Sequence, residues 1–234
     1  MENAVIMASG LGTRMHPLTF KIPKPLIKVH GVPMVETVIG GLKKRGTNKI
    51  YVVTGYLGGQ FAYLKDKYDG LEIIVNHEYA SVNNISSINA AKDVLGMGDC
   101  FICEADLFIP DGSVFLAELK KSCYFGTAFK GYSGDWVLEQ GKDRFINRIG
   151  KCGSDCYSMA GIAYFKQDDA KVLKEVIEET YVKGGYKEMF WDDVVNNNLH
   201  KIKLEIHEIF PGQVIEIDTV TELEAVNNIG WQQG

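Results

Sequence analysis

Residues 4–33 have the sequence AVIMASGLGTRMHPLTFKIPKPLIKVHGVP, and the interpretation of the whole chain starts from them. The apolar run at residues 4–8 has the length of a buried β-strand. Gly10 and Gly12 follow it, so backbone N–H groups can turn towards a ligand without interference from a Cβ atom. Prolines stiffen the next residues, which carry the cations Arg14, Lys21, Lys24 and Lys28. A glycine turn followed by spaced cations on a stiff loop suits a triphosphate.

Two common phosphate-binding motifs do not fit this stretch. The dinucleotide fingerprint needs a third glycine, and Arg14 stands near that position. The Walker motif needs a glycine followed directly by Lys and then Ser or Thr, a sequence that the chain lacks. The triphosphate hypothesis therefore depends on the wider pattern around the loop.

Length and composition predict one α/β domain, with or without a small lobe. The chain has 234 residues, of which 46% are hydrophobic and 24% are charged. Its net charge of -5 argues against a nucleic-acid partner, because such proteins usually carry a basic excess. We also expect no membrane partner and no signal peptide, since residues 1–3 are not basic and no apolar run approaches the length of a span.

Cysteine usage predicts a cytoplasmic protein. The five cysteines are odd in number and lack a pair of C-x-x-C motifs, since Cys100 and Cys103 form a single one in an apparent strand, so we expect reduced thiols. A zinc site at Cys152 and Cys156 would need a further pair of ligands, and the sequence does not supply one.

Strands and helices alternate in the first third of the chain. We predict strands at residues 4–8, 50–54 and 71–75, with helices at 35–45 and 61–68 between them. This alternation predicts a mostly parallel sheet with right-handed crossovers, whose ligands lie beyond the carboxyl ends of the strands. Residues 9–14, Gly55, Tyr56 and the chain from Asn76 onwards should share that rim.

The rest of the chain continues this pattern less regularly. We predict strands at 100–103, 124–130, 135–139, 146–149, 157–165 and 204–209, and helices at 88–94, 114–121, 168–181, after 195 and from 220 onwards. Residues 113–165 are expected to contribute a small, β-rich acceptor lobe to a single domain spanning 1–234.

Several short motifs carry a family resemblance. They are MASGLGTR at residues 7–14, PLT at 17–19, PKPL at 23–26 and V-x-G-x-P-M at 29–34. Together they resemble the signature of the nucleoside-triphosphate transferases, which join a nucleoside monophosphate to a phosphorylated sugar or alcohol and release pyrophosphate. The resemblance implies a Rossmann-like α/β nucleotidyltransferase fold, in which helices flank a mostly parallel central sheet.

The same resemblance implies roles for the loop. Arg14 would neutralise the leaving pyrophosphate, and Lys24 would hold the α-phosphate or the acceptor phosphate. The expected nucleotide contacts are Ala8, Ser9, Gly10, Gly12, Thr13, Gly55 and Tyr56.

Asn and Ser residues cluster at positions 81–87. Their side chains could cap the following helix, and we expect at least one of them to do so. The spacing N-N-x-x-S at residues 83–87 also resembles that of bacterial phosphocholine cytidylyltransferases. That resemblance implies that Asn84 and Ser87 contact the pyrimidine and the ribose of CTP.

Two aspartates are the predicted metal ligands. Asp106 follows the apolar strand at 100–103, with Glu104 beside it, and Asp218 lies near the end of the chain. Carboxylates beyond a central strand suit Mg²⁺, which prefers oxygen ligands and usually bridges phosphates. The alternative for Asp106 is a helix cap or a surface turn, and the resemblance favours the metal ligand.

Aromatic residues beside carboxylates indicate an acceptor with an amine. The predicted acceptor contacts are Trp136, Trp191, Asp193 and Glu216. Aromatic faces and carboxylates hold quaternary ammonium groups or amines, although tryptophans usually pack in a core. The resemblance to the phosphocholine cytidylyltransferases runs from near residue 3 to near residue 226, but Val82 and Ile85 stand where those enzymes tend to have further aromatics.

The resulting hypothesis is CMP transfer from CTP to a phosphorylated amino alcohol, most simply phosphocholine. CMP transfer to 2-aminoethylphosphonate or phosphoethanolamine stays open, because a primary amine needs fewer aromatic rings. A sugar-1-phosphate nucleotidyltransferase and a non-catalytic module of the same fold are further alternatives. Such modules commonly lose charged site residues, whereas this chain keeps all four of Arg14, Lys24, Asp106 and Asp218. Nothing in the sequence indicates an oligomeric state.

Overall fold

The computed structural model describes residues 2–230. The strands are β1 (Glu2–Ala8), β2 (Lys28–Val29), β3 (Val32–Pro33), β4 (Lys49–Thr54), β5 (Leu71–Val75), β6 (Asp99–Glu104), β7 (Leu107–Phe108), β8 (Cys123–Ala128), β9 (Tyr132–Gln140), β10 (Ile146–Ser154), β11 (Tyr157–Phe165), β12 (Glu205–Glu208) and β13 (Ile215–Glu216). The α-helices are α1 (Met34–Arg45), α2 (Tyr63–Lys67), α3 (Ile85–Ala90), α4 (Gln167–Lys183), α5 (Trp191–Asn197) and α6 (Val220–Asn228).

One sheet organises the described chain. Seven of its nine strands lie in the order β10-β9-β11-β6-β1-β4-β5, and β8 pairs with β11 and β12 away from this path. The central strand β1 pairs in parallel with β4 and β6, and β4 pairs in parallel with β5. On the other side, β11 joins β6 in an antiparallel pair, and the β9–β10 hairpin extends the sheet. The predicted parallel centre is confirmed, with an antiparallel flank beside it.

Helices cover both faces of the sheet, which explains why β1 is a nearly continuous apolar run. On one face Val5 packs in a buried cluster with Leu173 of α4 and Val194 of α5. On the other face Ile6 packs in a second cluster with Leu42 of α1. The carboxyl ends of the parallel strands therefore meet at one rim.

A third buried cluster packs the signature loop, residues 9–33 between β1 and α1, against the segment that contains α6. Its members are Met15, Ile27, Val29, Met34, Phe108, Ile217 and Leu223. Helix α6 begins with a capping box, in which the Thr219 hydroxyl accepts from the backbone N–H of Glu222 at 3.2 Å. Asp218 lies directly before this cap, so packing and capping together place it at the rim.

Three predicted helices differ from the structure. The helix predicted at 114–121 is wrong, because only Ser113–Leu116 forms a 3₁₀ turn. Phe115 inserts against α1, where a Cβ at Gly41 would lie 2.5 Å from its ring, and the apolar pattern ends with exposed Leu116.

The other two helices begin earlier than predicted. Helix α3 starts at Ile85 rather than near Ile88, because both isoleucines are buried on one face. Helix α5 starts at Trp191 itself, five residues before residue 196, where the sequence predicted its start.

The remaining fold predictions have mixed outcomes. All five cysteines are free thiols in the structure, as expected. Residues 113–165 contain β8 to β11, which belong to the main sheet, and the acceptor lobe stays a prediction. Within residues 2–230, no helix combines the length and the apolar character needed to cross a membrane.

A buried carboxylate joins α1 to α2. The Glu36 side chain is 4% exposed and accepts hydrogen bonds from the hydroxyls of Tyr63 and Tyr68, at 2.7 and 2.6 Å, and from the Lys67 ammonium. Burial by itself raises the pKa of Glu36, but these three donors outweigh burial and lower it. Ionised Glu36 therefore stabilises the fold above its unfolded-state pKa of about 4.5, and this contribution is lost as the pH falls through the lower folded-state pKa.

We predict that Glu36→Gln lowers the free energy of unfolding by about 2 kcal/mol at pH 7, the scale of hydrogen bonds to a buried charged group. The difference from wild type should shrink below pH 4.5, which urea denaturation at several pH values would measure. The matched control is Glu72→Gln, which breaks an exposed pair with Lys49 and should leave stability unchanged. A loss independent of pH, or an equal loss in the control, would contradict the assignment.

Candidate active site

A cleft of about 950 Å³ lies at the rim where β1 and β6 end, between the signature loop and the β9–β10 hairpin. This volume is at the upper end of the range for small-molecule sites. The predicted site residues that line it are Ala8, Ser9, Gly10, Gly12, Thr13, Arg14, Lys24, Asn84, Ser87, Asp106, Trp136, Glu216 and Asp218. Thus most of the predicted set is brought together, from segments far apart in sequence.

Gly12 allows the loop after β1 to close tightly. Its φ of 63° lies in the left-handed region, and a Cβ there would come within 2.9 Å of the Lys24 Cβ. The Thr19 hydroxyl donates to the Gly12 carbonyl at 2.9 Å. A side chain at position 12 would therefore push Lys24 away from the rim.

Buried hydroxyl groups connect the loop to α3. The Ser9 and Ser87 hydroxyls are 2.6 Å apart, and the Asn76 amide nitrogen donates to Ser86 at 2.8 Å and to Ser9 at 3.3 Å. Asn76 was not among the predicted site residues, although its position directly after β5 was the available signal. Ser87 lines the cleft, but its hydroxyl contacts Ser9 and Asn76, so its main role here is to fix the loop.

Lys24 lies between two carboxylates. Its Nζ donates to Asp106 Oδ2 at 2.5 Å and to Asp218 Oδ1 at 2.6 Å, and its side chain is only 8% exposed. Burial by itself lowers the pKa of Lys24, but the two carboxylates outweigh burial and raise it. Arg14 also donates to Asp218 at 2.6 Å, from a side chain that is 67% exposed. The negative charge of Asp218 is therefore compensated by two cations, buried Lys24 and exposed Arg14.

Further carboxylates crowd the rim. Oxygen atoms of Glu104, Asp106 and Glu216 all lie within 4.8 Å of one another. Glu216 is exposed at the rim, where partial desolvation followed by the charges of Asp106 and Asp218 raises its pKa. Burial, followed by Asp106 and Glu216, raises the pKa of Glu104 well above its usual range. An additional cation bound here would relieve the repulsion between these carboxyl groups and allow them to ionise.

The residues present fit a divalent metal ion. Within the described residues, Asp106 Oδ1 is buried and has no hydrogen-bond partner, which is costly unless a ligand satisfies it. Carboxylate oxygens are the ligands preferred by hard cations such as Mg²⁺. The set includes the predicted Asp106, with Glu104 and Glu216 beside it.

Trp191 does not reach the cleft, contrary to its predicted acceptor role. It is 3% exposed and stacks on Tyr124, with ring centroids 5.6 Å apart and planes at 14°. The first turn of α5 directs it into the buried cluster that also contains Phe165. The alternative interpretation as a packing residue is therefore correct for Trp191.

Asp193 is also displaced from its predicted role, and its neighbour Asp192 lines the cleft instead. Asp193 accepts from the backbone N–H of Phe190 at 2.8 Å and stabilises the start of α5. Asp192 is 1% exposed and accepts from the Tyr124 hydroxyl at 3.1 Å. Burial raises the pKa of Asp192 to about 7. The sequence pair could not show which aspartate faces inward without the exact start of α5.

Gly55 and Tyr56 do not line the cleft, so their predicted nucleotide contacts are not supported. Gly55 leaves room for Tyr79, since a Cβ there would lie 2.6 Å from its side chain. The Tyr56 hydroxyl donates to the Thr19 carbonyl at 2.8 Å. Both residues support neighbouring segments, and Tyr79 lines the cleft in their place.

Asn84 forms a hydrogen bond with the start of α5. Its Oδ1 accepts from the backbone N–H of Trp191 at 3.0 Å, so it caps α5 rather than α3. The expectation that an Asn or Ser side chain caps α3 itself is wrong for Asn84, the residue at the cap position. Asn84 also lines the cleft, as predicted for a site residue.

The cleft also contains a pair of aromatic rings, of which only Trp136 was predicted as a site residue. The rings of Trp136 and Phe190 meet edge to face, with centroids 5.2 Å apart. Lys151 lies beside both rings, and Asp135 and Asp192 also line the cleft. The cleft therefore offers aromatic surface and carboxylates, with the Lys151 ammonium group beside the rings.

Comparisons with known proteins agree with this geometry. The nucleotidyl transferase family model matches residues 3–123. A 2-aminoethylphosphonate cytidylyltransferase of Lancefieldella rimae is 50% identical over 226 residues, which cover 97% of this chain and 92% of that protein. A choline-phosphate cytidylyltransferase of Streptococcus pneumoniae is 30% identical and covers 97% of both chains.

A solved structure is similar over almost the whole chain as well. The CTP:phosphocholine cytidylyltransferase of Streptococcus pneumoniae superposes with a TM-score of 0.89 at 30% identity, covering 97% of this chain and 98% of that chain. The predicted nucleotidyltransferase fold is thereby confirmed. Because the family model includes the signature loop and the relatives match almost from end to end, this chain belongs to the nucleotidyl transferase family.

Proposed function

We propose that this protein transfers CMP from CTP to 2-aminoethylphosphonate and releases pyrophosphate. The observation that carries the proposal is the 50% identity, over 97% of the chain, with a protein named for that activity. The cleft supports it independently, because the loop cations, a group of carboxylates and an aromatic ring pair all line it. The five free thiols support a cytoplasmic location.

The acceptor end suits a primary amine. A primary ammonium group donates hydrogen bonds to carboxylates, whereas a quaternary ammonium group has no N–H and depends on aromatic faces. Asp192 supplies a carboxylate, and Trp191 is withdrawn into the core. Glu216, also predicted as an acceptor contact, lies within 4.8 Å of Asp106 in the acidic group at the rim. The cleft therefore suits the primary amine of 2-aminoethylphosphonate better than a quaternary ammonium group, which would need a cage of aromatic rings that included both tryptophans.

The chemistry requires no protein nucleophile. A phosphonate oxygen of the acceptor attacks the α-phosphorus of CTP, a new P–O bond forms, and the bond to the β-phosphate breaks as pyrophosphate leaves. Catalysis then consists of positioning and charge neutralisation. Accessible Arg14 suits the leaving pyrophosphate, and Lys24 is close enough to the loop to hold the α-phosphate or the phosphonate.

Backbone N–H groups of the loop would bind the triphosphate, and Asn84 would contact the cytosine. We assign Asp106 and Asp218 as ligands of Mg²⁺. Asp106 belongs to the carboxylate group with Glu104 and Glu216, whereas Asp218 lies outside that group and shares the Lys24 ammonium with Asp106. When bound, Mg²⁺ supplies positive charge to the phosphate oxygens.

Phosphocholine is the second candidate acceptor. The pneumococcal relative and its solved structure favour it, as does the Trp136–Phe190 ring pair in the cleft. Phosphoethanolamine belongs to the same primary-amine class as the proposed acceptor. A sugar 1-phosphate is less suited to a carboxylate-lined end, and a non-catalytic role is disfavoured because Arg14, Lys24, Asp106 and Asp218 are brought together.

We predict that 2-aminoethylphosphonate is the preferred acceptor in the presence of CTP and Mg²⁺. Pyrophosphate release should be measured with each candidate acceptor. The kcat/KM for 2-aminoethylphosphonate should be at least about tenfold higher than that for phosphocholine or glucose 1-phosphate. Replacing CTP with UTP, ATP or GTP should reduce the rate. An equal or higher kcat/KM with phosphocholine or glucose 1-phosphate would refute the proposed acceptor.

The metal assignment predicts that Asp106→Asn removes most turnover and leaves the fold intact, because Asp106 lies at a strand end. Asp168→Asn is the matched control, since this exposed aspartate pairs with Lys171 on the helix surface. Steady-state rates and circular dichroism would measure both effects. Normal turnover in Asp106→Asn would contradict the assignment.

The adjacent aspartates provide a paired test of the amine site. Asp192→Asn should raise the KM for 2-aminoethylphosphonate by about tenfold or more, because the ammonium loses a buried carboxylate partner. Asp193→Asn should change little, because asparagine can still accept from the Phe190 N–H. Acceptor binding by wild type should also weaken as the pH falls below about 7, where Asp192 becomes protonated, and this dependence should be smaller in Asp192→Asn. Equal effects of the two substitutions would contradict the amine site.

A further inference from the structure

Lys151 lies on the aromatic surface at the acceptor end of the cleft. Its Nζ is 5.1 Å from the centroid of the Phe190 ring and 6.0 Å from that of Trp136. Both distances are within the range of cation–π contacts. All three residues line the cleft. The ring pair that would attract a cationic acceptor thus already faces a cation belonging to the protein.

The backbone of Lys151 is held in place from two sides. Lys151 pairs with Trp136 in the antiparallel β9–β10 ladder, which fixes their side chains as cross-strand neighbours. Arg148 Nη2 donates to the carbonyl groups of Lys151 and Cys152, at 2.6 and 2.9 Å. The ammonium group is therefore kept near the rings by strand register as well as by its own interactions with them.

A quaternary ammonium group would compete with Lys151 for the same surface. It needs the ring faces because it cannot donate hydrogen bonds, and two like charges on one ring pair repel each other. A primary amine has an alternative, because it can bind the carboxylate of Asp192. Lys151 therefore penalises one class of acceptor more than the other.

We propose that Lys151 is a specificity-determining residue, which excludes quaternary ammonium acceptors such as phosphocholine by occupying the aromatic surface of Trp136 and Phe190. This inference rests on the proposed function, since it explains how the cleft selects a primary amine.

The test compares wild type with Lys151→Met, which removes the charge and keeps a long side chain. The ratio of kcat/KM for phosphocholine to kcat/KM for 2-aminoethylphosphonate should rise by about tenfold or more, the scale of one cation–π interaction between the quaternary ammonium group and the rings. Lys151→Arg keeps the charge and should leave the ratio unchanged. Lys203→Met is the matched control, because Lys203 lies 5.8 Å from the Phe145 ring, and neither of these residues lines the cleft.

An unchanged ratio in Lys151→Met would overturn the inference, and so would an equal loss with both acceptors, which would mean that Lys151 binds the phosphorus group they share. Wild type alone tests the proposed function, so the two can fail separately. If wild type uses neither acceptor, the proposed function fails, and calorimetric titration with phosphocholine still decides the inference. Binding about tenfold tighter to Lys151→Met than to wild type would support it, and equal binding would overturn it.

Discussion

The position of the Lys24 ammonium between Asp106 and Asp218 is the interaction on which the rest of the site depends. The two carboxylates come from segments 112 residues apart in the sequence, and would repel each other without a cation between them. Gly12 provides the space in which Lys24 reaches them, and the third buried cluster holds the loop against the C-terminal segment. Lys24 thus links the signature loop, the residues directly after β6 and the segment directly before α6.

Cations and carboxylates are paired within the cleft. Lys24 and Arg14 of the signature loop contact Asp106 and Asp218, whereas buried Asp192 lies on α5. The cations gathered on the loop show how a chain with a net charge of -5 can still offer a local site for an anion. Asn84 lines the cleft and also caps α5, the helix that carries Asp192.

Features encoded locally were predictable from the sequence, and features set by helix phase or strand register were not. Asp106 could be predicted because an apolar strand delivers it directly to the rim. The residue at which α5 begins decides that Asp192 rather than Asp193 lines the cleft, and that Trp191 is buried. Lys151 was missed because its proximity to Trp136 arises from cross-strand pairing beside a register shift, which has no local signature.

Direct metal binding tests the central role of the acidic rim. Mn²⁺ can be titrated into the protein in the presence of CTP and followed by electron paramagnetic resonance, independently of turnover. If the carboxylates at the strand ends hold the metal, wild type and Asp168→Asn should bind Mn²⁺ equally, and Asp106→Asn should bind it more weakly. Equal binding by all three proteins would contradict the assignment of the rim as the metal site.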